Sequence, residues 1–282
     1  MTAPKAPQDW LAANQANWDR RVELHLDTPE YSLEPLRACN AALSPIERAE
    51  LPNVKGKKVL HLQCHFGRDT LVFAQDGAQV VGVDFSGAAI EQARKIASEL
   101  GYEAQSEFHQ CNLFDAPDVV PGAGSFDLVF TSWGTIGWLP DIDKWARVAA
   151  HFVKPGGQFY FADAHPFPLV LDDETPEQDG RPGWFLSYFG DDVFVDENPV
   201  DYAGNRKPVA GKNYAWMHPM SSVLGALQDA GLVLDTLSEH DSLPWQMFSQ
   251  LVKGKDGMYR WAGTRWFPLS WSLRMHKPSD VP

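Results

Sequence analysis

Two stretches of this chain hold side chains at a spacing suited to ligand chemistry. The first is Val59-Leu-His-Leu-Gln-Cys-His-Phe-Gly67, an apolar run that ends in a polar loop closed by glycine. The second is Gln79–Asp84, another apolar run, which ends in an acid. In an open α/β sheet, ligands bind at the carboxyl ends of the strands. An acid after the second strand can there accept both ribose hydroxyls of an adenosine-containing ligand. The same Asp84 could instead do no more than cap the helix that follows it.

Other candidates lie further along. His165 follows a later apolar run, in Asp163-Ala-His165-Pro166. An imidazole with an ordinary pKa of about 6.5 suits a general base, and it could equally orient its own loop. His25 and Tyr31 belong to the N-terminal segment and could fold over a bound ligand. A Tyr31 ring face against a cation would contribute about 0.5–2 kcal/mol; packing is the alternative. Trp133 follows the fourth apolar run and could touch a substrate. Trp216 and His218 could line a cover, although His218 precedes Pro219 and also reads as a turn. No His-Glu-x-x-His pattern or carboxylate cluster has metal-ligand spacing, so no metal site is expected.

These residues need a framework. Trp10 onward predicts one or two helices to about Glu50, interrupted at Pro29, Pro35 and Pro45. From residue 57 the rhythm becomes strand, helix, strand. Strands are expected at 58–63, 79–84, 107–112, 126–132 and 158–163. Helices are expected at 68–75, 87–100 and around 142–152, with Pro155-Gly156-Gly157 closing the last. Such alternation gives a parallel sheet with helices on both faces. A helix near 221–230, a strand at 232–239, a loop rich in Trp and Met, and a last strand at 265–276 follow. The organisation read from this is an N-terminal helical cap (1–56), a Rossmann-like core (57–163), an insertion (164–220) and a C-terminal part (221–282) that completes one domain. The insertion is rich in Pro, Gly and aromatics and is acidic from Asp172 to Asp201, with Arg181 the single base in that stretch. A long irregular insertion is usually functional or mobile, and this one reads as a lid.

Bulk properties narrow the function. Hydrophobic residues make up 44% and charged residues 22%, enough for a sizeable core. The net charge of -13 disfavours nucleic acid and anionic membranes as partners. Cys39, Cys64 and Cys111 are odd in number and widely spaced, which argues against a disulfide framework. The start lacks an apolar signal region, so a cytoplasmic location is expected.

Strand, loop and acid alone fit either NAD or S-adenosylmethionine (SAM). A dinucleotide loop needs glycines so that backbone can approach a pyrophosphate. Gln63 and His65 stand where small residues would be required. SAM carries no phosphate, and polar side chains can serve its carboxylate, its ammonium and its cationic sulfur.

The run Val59–Thr70 followed by Gly82-Val-Asp-Phe-Ser86 resembles class I SAM-dependent methyltransferases, and within them a bacterial subgroup with HLQCHFG in place of the usual acid-and-glycine motif. Phe126–Gly134, Trp138-Leu-Pro-Asp141, Lys154-Pro-Gly-Gly157 and Glu239–Trp245 extend the resemblance to roughly residues 15–278. It implies a seven-stranded sheet with an antiparallel last strand. It implies that Gln63, His65, Phe66 and Gly67 line the methionine part of SAM, that Asp84 holds the ribose and that Phe85 lies on the adenine. Asn112 and Leu113 would edge the adenine and Thr131 would face the methionine end; apart from the resemblance, Tyr31 from the N-terminal segment could fold over the cofactor. His61 stands in place of the usual first acid. The expected activity is methyl transfer to a small molecule, leaving S-adenosylhomocysteine (SAH). A protein or RNA substrate, an NAD-dependent oxidoreductase and a non-catalytic SAM sensor are the alternatives.

Overall fold

A computed structural model describes residues 6–172, 183–190, 192–203 and 207–279. Seven strands form the central sheet: β1 (Lys58–Leu62), β2 (Gln79–Asp84), β3 (Ser106–Gln110), β4 (Phe126–Ser132), β5 (Val153–Ala164), β6 (Val233–His240) and β7 (Ser270–His276). Their order is β6-β7-β5-β4-β1-β2-β3. β7 runs antiparallel to both of its neighbours, while the β1–β5 pairings are parallel.

Alternation along the strands divides the core into two layers. Leu60 and Leu62 of β1, with Phe159 and Phe161 of β5, face one side, where they meet Trp145, Phe152 and Trp271. Val59, Phe130 and Tyr160 face the other, with Phe73 and Phe108. A parallel strand covered on both faces must be apolar throughout, and β1 is buried from Val59 to Leu62. The helices that cover it are α1 (Trp10–Leu26), α2 (Pro45–Glu50), α3 (Arg68–Gln75), α4 (Gly87–Leu100), α5 (Ile142–Phe152) and α6 (Met220–Asp229). Ser86 caps α4 by accepting from Ala89 N, and Gly101 ends it in the left-handed conformation. Asp141 caps α5 through Lys144 N at 2.8 Å.

Three expectations are corrected. β5 begins at Val153, so Pro155-Gly156-Gly157 lies within the strand and not in a loop after α5. The last strand begins at Ser270, not at 265, because Pro268 lacks an amide N–H to pair. The Trp- and Met-rich loop holds a small three-stranded sheet of two-residue strands, Ser242–Leu243, Tyr259–Arg260 and Val252–Lys253. Strands that short leave no periodicity in a sequence. In the insertion, Phe194–Asp196 pairs with Asn213–Ala215. Its acids Asp173, Glu174, Glu177, Asp179 and Asp191, and the base Arg181, lie outside the described residues.

The N-terminal segment reaches the sheet through apolar side chains, Val22, Leu36 and Leu43 among them, and through a set of polar groups. The buried residues of α1 are Asn14, Asn17, Arg21, Val22 and His25, all but Val22 polar. The Asn14 amide donates to Tyr214 O at 2.9 Å and accepts from Tyr214 N at 2.8 Å, as a neighbouring strand would. Gln15 donates to Phe85 O at 2.7 Å, and Asp19 accepts from Ser86 Oγ and from Ala88 N. α2 starts with a capping box between Ser44 and Glu47. Glu47, buried, also accepts from Ser132 Oγ at the end of β4.

Burial, with Asp69 nearby, raises Glu47 to about 7. A carboxyl whose folded pKa lies above its unfolded value stabilises the fold at low pH, and loses that contribution as pH rises through the folded value. Glu47→Gln preserves the shape; its oxygen can accept from Ser44 N while its amide N–H donates to Ser132 Oγ. It is expected to flatten the pH dependence of stability between pH 4.5 and 7 and to stabilise the protein at pH 8 by on the order of 2 kcal/mol. Urea unfolding at pH 5 and pH 8 checks this, and a variant weaker than wild type by the same amount at both pH values would refute it.

Candidate functional site

The site is built where β1, β2, β4 and β5 end. Past Leu62 the chain turns through Gln63 (φ +57°), His65 (φ +51°) and Gly67 (φ +74°). The left-handed region costs a residue with a Cβ of the order of 1 kcal/mol, so two such residues in one turn must be held in place from outside. Asp84 supplies one restraint. Its Oδ2 accepts from His65 N at 2.8 Å and its Oδ1 from Ser86 N at 2.9 Å. Burial pushes this carboxyl up to about 6 despite those bonds. Cys64 N donates to Val83 O, tying the turn to β2. Gln63 donates from Nε2 to Thr135 O at 2.9 Å, tying it to the loop after β4. Asp163, at the end of β5, repeats the device of Asp84. It accepts from Gly134 N at 2.6 Å and Thr135 N at 3.0 Å, and burial raises it too.

A second group closes over the turn. His65 Nε2 lies 2.8 Å from His25 Nδ1, and His25 Nε2 lies 3.0 Å from Asp201 Oδ2. Arg21 pairs with the same carboxylate at 3.1 Å. Burial acts to raise Asp201, but the His25 hydrogen bond and the Arg21 charge hold it below its usual value. Burial, with His25 and Arg21 beside it, holds His65 well below its usual value. Tyr31 stacks on His25 with ring centroids 4.4 Å apart and hydrogen-bonds to Tyr202. Trp18 meets His25, His65 and Trp138 edge-on. The N-terminal helix, the β1 turn and the insertion thus meet at one point.

The remaining expected residues divide between this point and other places. Phe66 is buried beside Tyr31 and His65. Phe85 is half-buried and its carbonyl is held by Gln15. Asn112 caps the turn Leu113–Asp115, Leu113 is buried, and Cys111 N donates to Asp84 O. Thr131 is fully buried, and its Oγ1 has no hydrogen-bond partner. Gln63 Oε1 and Trp133 Nε1 likewise have none. Trp216 packs edge-on against Trp10, and His218 Nε2 donates to Leu139 O, so His218 is an anchor of the loop after β4.

The general-base expectation for His165 is not supported by its surroundings. Its Nδ1 accepts from Phe167 N at 3.1 Å and its Nε2 faces Glu239 at 3.2 Å, so both nitrogens are used in anchoring. His61, in place of an acid, hydrogen-bonds Thr70 on α3 at 2.8 Å, and burial lowers it to about 4. Asp201, Asp163, Trp18 and Trp138 were not expected at the site. Trp138 stood in a matching stretch, whereas Asp201 was one acid in a run and Asp163 one polar residue at a strand end. Among the described residues no group of His, Cys, Asp or Glu could hold a metal ion.

The sheet order and the pinned turn define the class I methyltransferase fold. A family model described as "Methyltransferase domain" matches residues 53–181. The ubiquinone biosynthesis O-methyltransferase of Pseudomonas syringae pv. tomato is 31% identical over 151 residues, covering 54% of this chain. The match spans about three-fifths (59%) of that relative's length. Among solved structures, a SAM-dependent methyltransferase from Mesorhizobium loti aligns at TM-score 0.56 with 19% identity, over 83% of this chain and 96% of that one. The CcbJ methyltransferase from Streptomyces caelestis aligns at TM-score 0.62 with 14% identity, over 94% and 99% of the two chains.

Gly67 tests the pinned turn. A Cβ there would lie 2.7 Å from Phe108 Cε1, on a backbone already left-handed. Gly67→Ala is expected to lose about 2–4 kcal/mol by denaturant unfolding. Adding Phe108→Leu should recover the steric part and leave about 1 kcal/mol of backbone strain. No recovery would show that the clash is not the cause.

Proposed function

We propose that this chain transfers the methyl group of SAM to a small-molecule acceptor. The observation that carries the reading is the β1 turn. It keeps a glycine-like backbone at Gln63 and His65 while presenting their polar side chains. A pyrophosphate needs bare backbone there, whereas an amino-acid end and a sulfonium are served by side chains. The donor set fits. Gln63 Oε1 is a buried acceptor without a partner, suited to an ammonium. Asp84 uses one lone pair on each oxygen and has others for ribose hydroxyls. Asp84, Asp163 and Asp201 place negative charge around a cationic ligand.

When bound, SAM supplies an electrophilic methyl carbon on a positively charged sulfur. The chain's own residues supply position. Gln63 and Thr131 orient the amino-acid end, Asp84 the ribose, and Phe85, Asn112 and Leu113 border the base. Tyr31, Trp18 and Trp138 exclude water, which strengthens every charge interaction inside. Trp133, at the end of β4, faces the acceptor. A small acceptor is favoured because α1 and the 200–203 segment of the insertion cover the strand ends, where a macromolecule would need an open groove. The curated relative is an O-methyltransferase, which fits an acceptor of that size. Three free cysteines and an acidic surface fit a reducing cytoplasm and a partner other than nucleic acid.

Thermal unfolding with SAM, SAH and NAD in parallel tests the reading. A ligand at 100 times its dissociation constant stabilises by about 2.7 kcal/mol, a rise of a few degrees. A rise with both adenosyl compounds and none with NAD is expected; a rise with NAD alone overturns the proposal. Asp84→Ala is expected to weaken SAH binding by about tenfold or more in calorimetry, with the circular dichroism spectrum preserved. Wild-type affinity in that variant would remove Asp84 from the ribose site.

A further inference from the structure

Buried polar groups need a reason beyond packing, and Asp201, His25 and His65 form a continuous row of them. His25 is fully buried and Asp201 is 1% exposed, whereas His65 is only half-buried and belongs to the ligand turn. The row therefore has a sealed end and an accessible end. Its hydrogen bonds set the tautomers. Ionised Asp201 can only accept, so His25 Nε2 carries a proton and donates to it. With His25 neutral, its Nδ1 accepts from His65 Nε2, and the free lone pair falls on His65 Nδ1. Two neutral imidazoles 2.8 Å apart, backed by a carboxylate, can share one extra proton. The charged groups facing them are Arg21 on α1, which competes for Asp201, and Asp84, bonded to His65 N; Tyr31 and Tyr202 are the titratable hydroxyls.

We propose that Asp201, His25 and His65 form a proton relay that holds positive charge in alternation with the ligand sulfonium, so that beside the standing charge of Arg21 only one of the two is cationic at a time. The inference rests on the methyl-transfer reading. Before transfer the cation is on sulfur and the imidazoles are neutral. In the transfer the acceptor heteroatom bonds the methyl carbon, the pair of the broken C–S bond stays on sulfur, and the acceptor's proton goes to His65 Nδ1. His65 passes its Nε2 proton to His25 Nδ1, leaving His25 doubly protonated and paired with Asp201. Alone, His65 is a weak base, because burial penalises its cation. The relay moves the charge to the imidazole whose ring nitrogen already meets the buried Asp201 carboxylate. The insertion, which carries Asp201, thereby contributes directly to the chemistry of the β1 turn.

The alternation can be read from binding, without turnover. Calorimetric titration of the full chain with SAM and with SAH, each in phosphate and in imidazole buffer at pH 5.5, 6.0 and 7.0, reports protons taken up with the ligand. SAH, with no charge on sulfur, is expected to bind with proton uptake approaching one as pH falls, and SAM with less. The ratio of the SAM to the SAH dissociation constant should then rise by about tenfold from pH 7.0 to 5.5. Asp201→Asn and His25→Gln should each abolish the difference in uptake and flatten the ratio. Equal proton uptake and parallel pH profiles for the two ligands in the wild-type chain overturn the relay and leave the methyl-transfer reading intact. Failure of both ligands to bind the wild-type chain overturns that reading, and the relay with it.

Discussion

A carboxylate that accepts backbone N–H groups across a gap between strands is the restraint on which the site depends. Asp84 holds the turn after β1 and Asp163 holds the loop after β4, each with both oxygens in use. A parallel sheet by itself ends in four or five loops with no mutual register. The two aspartates convert them into one rigid rim. Both acids are buried, and burial raises both, so folding bears a cost to keep them charged there. Such a cost is common where function demands a fixed negative surface. The left-handed conformations at Gln63 and His65 belong to the same bargain, since strain in a turn survives only when its surroundings over-determine it.

The cover is held differently from the core. The sheet closes through Phe, Trp and aliphatic contacts, while α1 docks through Asn14, Gln15, Asp19, Arg21 and His25. Apolar contacts are non-directional and tolerate sliding, whereas a row of hydrogen bonds has one register. A helix that sets the His25 imidazole 2.8 Å from His65 gains from the second kind.

The framework was legible in the sequence because parallel strands and their helices carry strong periodicity. β1, β2, β4, α3 and α4 fall where the apolar runs and the glycine stops put them. Gln63, His65 and Asp84 were legible as a turn and an acid after consecutive strands. Three features were not. α1 buries a polar stripe, which an apolar pattern cannot register. Asp201 lies far along the chain from His25, and a single acid among many in an acidic stretch carries no local mark. His165 has the right residue type and position for a base, yet Phe167 N and Glu239 occupy it, and only the fold reveals those partners.

The pairing of Asn14 with Tyr214 joins residues two hundred positions apart. During synthesis the N-terminal helix is made first, but its partner surface comes late, so its docking is among the most non-local events in this fold. Ordering such a contact is slow and entropically costly. The helix is held mostly by polar contacts and gives the core one buried apolar side chain, Val22, so its opening exposes little of the sheet's apolar core. Amide hydrogens along 10–26, 200–203 and 207–216 should then exchange together, through one opening well below the free energy of global unfolding.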